Sequence, residues 1–206
     1  MLPWFSGAEA EMLITWRWQW LALYRDERRE EACWFVHPVH RHRVDIAALP
    51  VAFAEDTALI AANNRRLDLD DLRLTPSLDV YIVGYPRGTF GGANFPIWKR
   101  GSIASEPDID VDGKPKFYVD AATREGMSGS PVFAQEVGLW APRGAGRYLG
   151  KYNLGKGRAF AGVYSGRIGA EDEFKAQLGF VWRARALDEI VEARVIGDSA
   201  FELHAE

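Results

Sequence analysis

The sequence predicts an all-β protein with a single C-terminal α-helix. Turn residues recur at short intervals along the 206 residues, and the runs between them are rich in Val, Ile, Tyr, Phe and Trp. This rhythm is typical of a β-sandwich or β-barrel. The segment 184–196 departs from it, because its apolar residues recur at the spacing of one helix face. These residues are Leu187, Ile190, Val191 and Val195.

The predicted strands follow one another with little intervening sequence. The first, 14–20, alternates apolar and polar residues, so it has one face to bury. The charged tract 25–31 is either a contact patch or, as we favour, a solvated turn between strands. The segment 67–74 is strand or loop, and 139–158 is a surface loop or a long hairpin. The remaining predicted strands are 33–36, 44–51, 80–84, 97–104, 117–120, 131–133, 159–164 and 178–182.

Composition excludes several classes of protein. A net charge of -4 with no long Lys/Arg run argues against a nucleic-acid partner. No apolar run is long enough to span a bilayer, so no membrane partner is expected. Cys33 is the only cysteine, which forbids an internal disulfide. Residues 1–5 show no signal-peptide pattern, and a cytoplasmic location is expected if the chain begins at Met1. The oligomeric state is not indicated.

The segment that carries chemistry is Gly-Met-Ser-Gly-Ser-Pro at 126–131, between a strand ending near Asp120 and the apolar pair 132–133. A nucleophilic serine must be presented in a tight turn, with backbone N–H groups aimed at the developing negative charge. Gly126 lets the chain adopt a conformation that turns its N–H toward that point. These features predict Ser128 as a nucleophile, and the alternative is a Gly/Ser-rich turn without chemistry.

This hexapeptide resembles the nucleophile turn of the chymotrypsin-like (trypsin-fold) serine proteases, Gly-x-Ser-Gly-Gly/Ser-Pro. Other segments follow that family's order. Residues 44–50 resemble the strand that begins with the catalytic Asp, and 80–86 resemble the opening of the second barrel. Residues 160–166 resemble the strand beside the substrate, and 179–182 the strand that closes the specificity pocket. The resemblance covers about residues 44–196 and is nearest to the bacterial trypsin-like peptidases without disulfides.

The resemblance implies a specific architecture. It implies two antiparallel six-stranded-type β-barrels, the first incomplete, followed by the C-terminal α-helix. The expected domains are a partial barrel at 1–75, a barrel with the nucleophile turn and helix at 76–197, and a tail at 198–206.

The resemblance also implies the chemistry of a serine endopeptidase. Ser128 would form an acyl-enzyme with a polypeptide substrate, Asp45 would orient a histidine, and the N–H groups of Gly126 and Ser128 would hold the oxyanion. No cofactor and no metal is expected. The substrate-binding residues implied are Ala122, Thr123, Ser165 and Gly166.

Two positions depart from the digestive enzymes of this family. Met127 stands where those enzymes have an Asp that pairs with a freed N-terminal amine, so activation by that route is excluded. Ala122 stands at the floor of the expected specificity pocket. It offers no charge to a basic side chain, which predicts a preference for small or apolar residues.

The general base is missing from its expected place. The family's histidine precedes the Asp by some tens of residues, but residues 1–36 contain none. His37, His40 and His42 lie close before Asp45, and we interpret them as loop residues rather than as a base or a metal cluster. We therefore expect little or no turnover. The favoured explanation is an N-terminally truncated peptidase, and the alternative is a catalytically silent peptide-binding pseudoprotease. Use of His37 as the base is a third and weaker hypothesis.

Overall fold

The computed structural model describes residues 20–52, 61–63, 71–144, 152–168 and 178–198. The predicted all-β class with one C-terminal helix is confirmed. The elements in this part of the chain are β1 (Phe35–Val36), β2 (Asp79–Gly84), β3 (Ile97–Ile103), β4 (Lys116–Asp120), β5 (Pro131–Trp140), β6 (Asn153–Arg167), β7 (Leu178–Arg183), α1 (Ala184–Ala193) and β8 (Val195–Ile196). Two single-turn 3-10 helices, Pro86–Gly88 and Gly92–Asn94, connect β2 to β3. No helix in these segments has the length and apolar character needed to cross a bilayer.

The chain divides into two compact units. The first unit comprises Met1–Ala61 and Leu187–Glu206, and the second comprises Ala62–Ala186. This division groups the end of the chain with its N-terminal part, whereas the sequence places the boundaries after residues 75 and 197. The two folding domains at 1–75 and 76–197 therefore stay a prediction.

The second unit is a ring of six antiparallel strands. Their order is β2-β3-β4-β7-β6-β5, and β5 pairs back to β2 to close the barrel. The closing register joins Val80 to Ala134 and Ile82 to Val132. Because successive side chains of a strand point to opposite faces, every second residue of β2 is buried.

The barrel interior is a continuous apolar core. Its members come from every strand of the ring, and they include Val80, Ile82, Ile103, Phe117, Val119, Val132, Tyr164 and Val181. Phe117, Val119 and Val181 are fully buried. Each such side chain stabilises the barrel by about 1.5–3 kcal/mol relative to an exposed position.

The β5–β6 hairpin is longer than predicted. The sequence predicts strands at 131–133 and 159–164 only, but the ladder continues outward to Leu139–Leu154 and Trp140–Asn153. Of the two readings of 139–158, the described residues support the hairpin. One of the glycines that indicate a loop makes room for a neighbour instead, because a Cβ on Gly157 would lie 2.6 Å from the Trp140 indole.

In the first unit, β1 pairs with β8 through Phe35–Ile196 and Val36–Val195. The predicted solvated turn at 25–31 is confirmed. Arg25 N–H donates to the Glu31 carbonyl at 2.9 Å, and the Asp26 carboxylate accepts the N–H groups of Glu30 and Glu31. The predicted strand 14–20 lies outside the described residues, so the incomplete first barrel stays a prediction.

The predicted strand at 44–51 is wrong. The segment is irregular, and it meets another strand at one point, where Phe35 and Ala48 exchange N–H···O bonds of 2.8 and 3.0 Å. Val44 is buried, whereas Asp45 and Ala47 are exposed. Among the described residues, this single bridge does not continue into a ladder, so the apolar run does not form a regular strand.

The helix also ends earlier than predicted. α1 ends at Ala193, and Arg194 adopts a left-handed φ of 50° while its N–H bonds the Ile190 carbonyl at 3.0 Å. The chain then extends into β8, which pairs with β1. Within the helical spacing, Ile190 is buried and Val191 is 52% exposed.

Candidate active site

The serine turn connects β4 to β5 in the second unit. Hydrogen bonds to the β6 backbone fix its far side, since Gly129 N–H donates to the Tyr164 carbonyl at 2.8 Å and Tyr164 N–H donates to the Ser130 carbonyl at 2.9 Å. On its near side, Arg87 N–H donates to the Glu125 carbonyl at 2.7 Å. The turn is thus held between β6 and the loop that follows β2.

Two buried side chains anchor the turn to the barrel. Met127 is fully buried in the barrel core, and Ser130 is 6% exposed. Gly84 lacks a side chain at the point where the Ser130 hydroxyl lies, and a Cβ there would overlap it. An apolar anchor at Met127 therefore holds the turn, which agrees with the exclusion of an ion pair at this position.

Two glycines let the turn expose Ser128. Gly126 and Gly129 both have φ of 84°, a left-handed conformation that favours glycine. A Cβ on Gly126 would lie 2.8 Å from the Tyr85 carbonyl oxygen, whereas one on Gly129 would meet nothing within 4 Å. Among the described residues, the N–H groups of Gly126 and Ser128 have no hydrogen-bond acceptor. Two backbone donors are thereby available beside the exposed serine.

The Ser128 hydroxyl is bound to β6. Its Oγ donates to the Ser165 carbonyl at 2.6 Å. The β6–β7 register shifts between Tyr164 and Gly166, so Ser165 stands at a bulge. Bulges re-aim backbone groups next to functional sites. A carbonyl oxygen cannot take a proton from an alcohol at neutral pH, so this contact positions Ser128 without activating it.

The other residues predicted to bind substrate differ in their exposure. Ala122 is exposed, and Gly166 follows the bulge with open space where a side chain would be. Thr123 is 1% exposed, and its Oγ1 lies 2.5 Å from the Tyr164 hydroxyl. Burial raises the pKa of Tyr164. The Thr123 side chain therefore supports Tyr164 and is not presented to solvent.

One edge of β6 is open beside the serine. Gly166 and Arg167 pair with β7 at Phe180 and Gly179. The pairing with β5 ends at Val163, and no described strand pairs with Gly166 or Arg167 on that side. An extended peptide could add a strand there.

Asp45 belongs to the first unit, where it is exposed and flanked by the buried Val44. It is described with that unit, and the residues around Ser128 belong to the other. The role of Asp45 stays a prediction.

His37 is a structural residue of the first unit. It is 1% exposed, and its Nδ1 accepts the N–H groups of Val39 and His40, each at 3.2 Å. Its Nε2 lies 2.8 Å from Glu189 Oε2, an ion-pair distance at which the carboxylate favours the charged imidazole. Both ring nitrogens face groups of the same unit, which argues against His37 as the general base, and that hypothesis stays a prediction. No three described His, Cys, Asp or Glu residues form a group that could hold a metal ion.

The environment of His37 predicts a pH-dependent stability. Burial lowers its pKa from 6.5, and the Glu189 carboxylate partly opposes this shift. Below pH about 6.5 the unfolded chain therefore binds the proton first, and the free energy of unfolding falls as the pH is lowered. The free energy of unfolding of His37→Gln, measured in urea across this pH range, should lack the part of the pH dependence that comes from His37. Glu189→Gln should deepen the loss, because the carboxylate favours the charged imidazole. A His37→Gln curve parallel to wild type would contradict this assignment.

Several contacts of the site were not predicted from the sequence. The alternation of β6 places Tyr164 inward, but its Thr123 partner lies 41 residues away along the chain. The Met127 anchor and the Ser165 bulge also depend on tertiary packing. The sequence does contain one usable signal, which is the apolar Met127 inside a polar turn. A large apolar side chain in such a turn is expected to be buried in a core.

One of the comparisons with known proteins identifies a family. The family model for the trypsin-like peptidase domain matches residues 20–139, more than half of the chain. The matched region includes Asp45 and the serine turn. No curated protein matches the chain, and no solved structure does. From the family match, together with the all-β fold, the chain belongs to the trypsin-like peptidase domain family.

Proposed function

We propose that Ser128 is the nucleophile of a serine-type endopeptidase site whose turnover in this chain is absent or very weak. The observation that carries the proposal is the Ser128 turn itself. The serine is exposed between two left-handed glycines, and the N–H groups of Gly126 and Ser128 have no acceptor among the described residues. The family makes the chain a peptidase by descent, and a polypeptide is the substrate class.

In this proposal the backbone stabilises the transition state. Attack of Ser128 Oγ on a peptide carbonyl places negative charge on the carbonyl oxygen. The N–H groups of Gly126 and Ser128 would donate to that oxygen, and losing one such donor typically costs about 10²–10³ in rate. Neither N–H group has another acceptor among the described residues, which supports this role.

The step that limits turnover in this proposal is removal of the proton from the Ser128 hydroxyl. Residues 62–186, which make up the second unit, contain no histidine. The Ser128 proton goes to a carbonyl, and both nitrogens of His37 are engaged elsewhere. Asp45 would orient an imidazole if one were supplied. Without a base the serine is a neutral alcohol, and turnover falls by several powers of ten.

The substrate would lie along β6. Its backbone would pair beside Gly166 and Arg167, where no described strand occupies the β5 side. The backbone of Thr123, with Ala122 before it, would line the pocket for the residue preceding the cleaved bond. Ala122 supplies no counter-charge there, which favours small or apolar residues.

A catalytically silent peptide-binding domain is the alternative. The Ser128–Ser165 hydrogen bond favours it, since a serine already bound to a carbonyl needs no base to complete its contacts. In that case the β6 edge would bind peptides with equal affinity before and after replacement of Ser128.

Hydrolysis tests the two functions against each other. A p-nitrophenyl ester and a fluorogenic peptide mixture would be incubated with wild type and with Ser128→Ala. We expect slow hydrolysis that Ser128→Ala abolishes and that rises with pH without the plateau of an imidazole base. The matched control is Ser102→Ala, a serine of β3 outside the turn. Unchanged hydrolysis in Ser128→Ala would overturn the proposal.

A further inference from the structure

A cavity of about 260 Å³ in the second unit carries an unusual concentration of arginines. It lies at the start of α1, away from the serine turn in sequence. Its charged lining residues are Arg73, Arg143, Arg183, Arg185 and Asp108, and apolar lining comes from Leu74, Pro107 and Phe160. Concave sites with apolar walls and a few convergent polar groups are the usual form of ligand pockets.

Arg183 is a buried arginine whose N–H groups are only partly hydrogen-bonded among the described residues. Its side chain is 9% exposed, and Nη1 donates to Asp110 Oδ1 at 2.5 Å. Its Nε and Nη2 are buried and have no acceptor among the described residues. A buried guanidinium with unmet N–H groups is costly. Burial, and next the guanidinium of Arg185, lower the pKa of Arg183, as expected for a charge short of counter-charge.

The carboxylates near Arg183, Arg185 and Arg143 are shared or loosely paired. Arg183 and Arg185 share the same oxygen of Asp110, each at 2.5 Å. Arg143 Nε lies 3.4 Å from Asp71 Oδ1, a loose pair between exposed side chains. Asp108 is the one carboxylate among the described residues that line the cavity, which four arginines also line.

The helix start adds to the same field. α1 begins at Ala184, which lines the cavity with Arg185, and its first turn contains no acidic side chain. The first N–H groups of a helix lack intrahelical acceptors, and they favour anions. The buried Arg183 and the helix start therefore point to the same kind of ligand.

We infer that this cavity binds a small oxyanion, either a phosphate or a carboxylate group, between Arg183, Arg185 and Arg143. The planar guanidinium groups offer paired N–H donors that match two oxygens of such a group. The apolar wall formed by Leu74, Pro107 and Phe160 would contact the rest of a larger ligand. The site uses none of the residues proposed for peptide hydrolysis, so it stands or fails independently of Ser128.

Isothermal titration calorimetry of the full chain tests this site. Inorganic phosphate and acetate are titrated separately against a chloride background of equal ionic strength. We expect saturable binding of phosphate, weakened about tenfold or more in Arg143→Gln and in Arg185→Gln. Both side chains are more than half exposed, so these variants should fold, and circular dichroism checks that they do. Binding of phosphate alone identifies a phosphate site, and binding of both ions identifies a general oxyanion site.

Three further variants sharpen the test. Asp110→Asn should tighten binding, because it removes the carboxylate that competes for Arg183 and Arg185. Arg100→Gln is the matched control, since Arg100 is a 67% exposed arginine paired with Asp79 and does not line the cavity. Ser128→Ala should bind as wild type does. The inference is overturned if neither ion binds saturably, or if Arg143→Gln, Arg185→Gln and Arg100→Gln bind equally.

Discussion

Gly162→Ala should destabilise the second unit by about 4 kcal/mol or more, enough to unfold a domain of ordinary stability. Gly162 has φ of 145°, and a Cβ there would overlap the Trp182 carbonyl oxygen and lie 2.8 Å from its carbon. Both obstacles are backbone atoms of β7, so relief requires β6 and β7 to separate. The residue pairs with Val132 and with Arg183, which makes it a junction of three strands.

Urea unfolding followed by tryptophan fluorescence measures this effect. Gly166→Ala is the matched control on the same strand, because a Cβ at Gly166 meets nothing within 4 Å. We expect the control to stay within about 1 kcal/mol of wild type. Equal stability of the two variants would contradict the close approach of the β6 and β7 backbones at Gly162.

Gly126→Ala should slow the covalent reaction of Ser128 with a fluorophosphonate by about 10²-fold or more. The new Cβ would lie 2.8 Å from the Tyr85 carbonyl oxygen and 3.1 Å from Arg87 N. The turn must shift to relieve these contacts, which moves the Gly126 N–H from the proposed oxyanion site. Loss of one such donor is the physical origin of the expected decrease.

Gly129→Ala separates this effect from backbone strain. Gly129 has the same φ of 84°, but its Cβ would enter open space. The two variants therefore share the cost of a left-handed alanine and differ in the displacement of the turn. The measurement is the rate constant for reaction with a fluorophosphonate. Equal rates in the two variants would contradict the oxyanion role of Gly126.

The barrel strands could be predicted because their side chains alternate. Val80 and Ile82 in β2, and Phe117 and Val119 in β4, carry the period that one buried face requires. The apolar content of 44–51 also predicts a strand, yet among the described residues the segment pairs only at the Phe35–Ala48 bridge. Apolar content identifies what can be buried, but only tertiary pairing decides whether a ladder forms.

The candidate site could be predicted only in part. The turn at 126–131 is local, so its glycines and Ser128 could be identified from adjacent residues. The contacts of Ser128 with Ser165 and of Thr123 with Tyr164 join distant segments, and their residue types carry no signal alone. The Arg183 cluster is also invisible in the sequence, because Asp110 lies 73 residues from its partner.

The central claim is that Ser128 is a nucleophile held in a formed turn without an imidazole base. Intact-protein mass spectrometry after prolonged exposure to a fluorophosphonate, followed by peptide mapping, tests it directly. The account predicts a slowly formed single adduct on Ser128 that is absent from Ser128→Ala and retained in Ser102→Ala. Absence of an adduct on Ser128, or an adduct formed equally in Ser128→Ala, would contradict the account and favour the peptide-binding alternative.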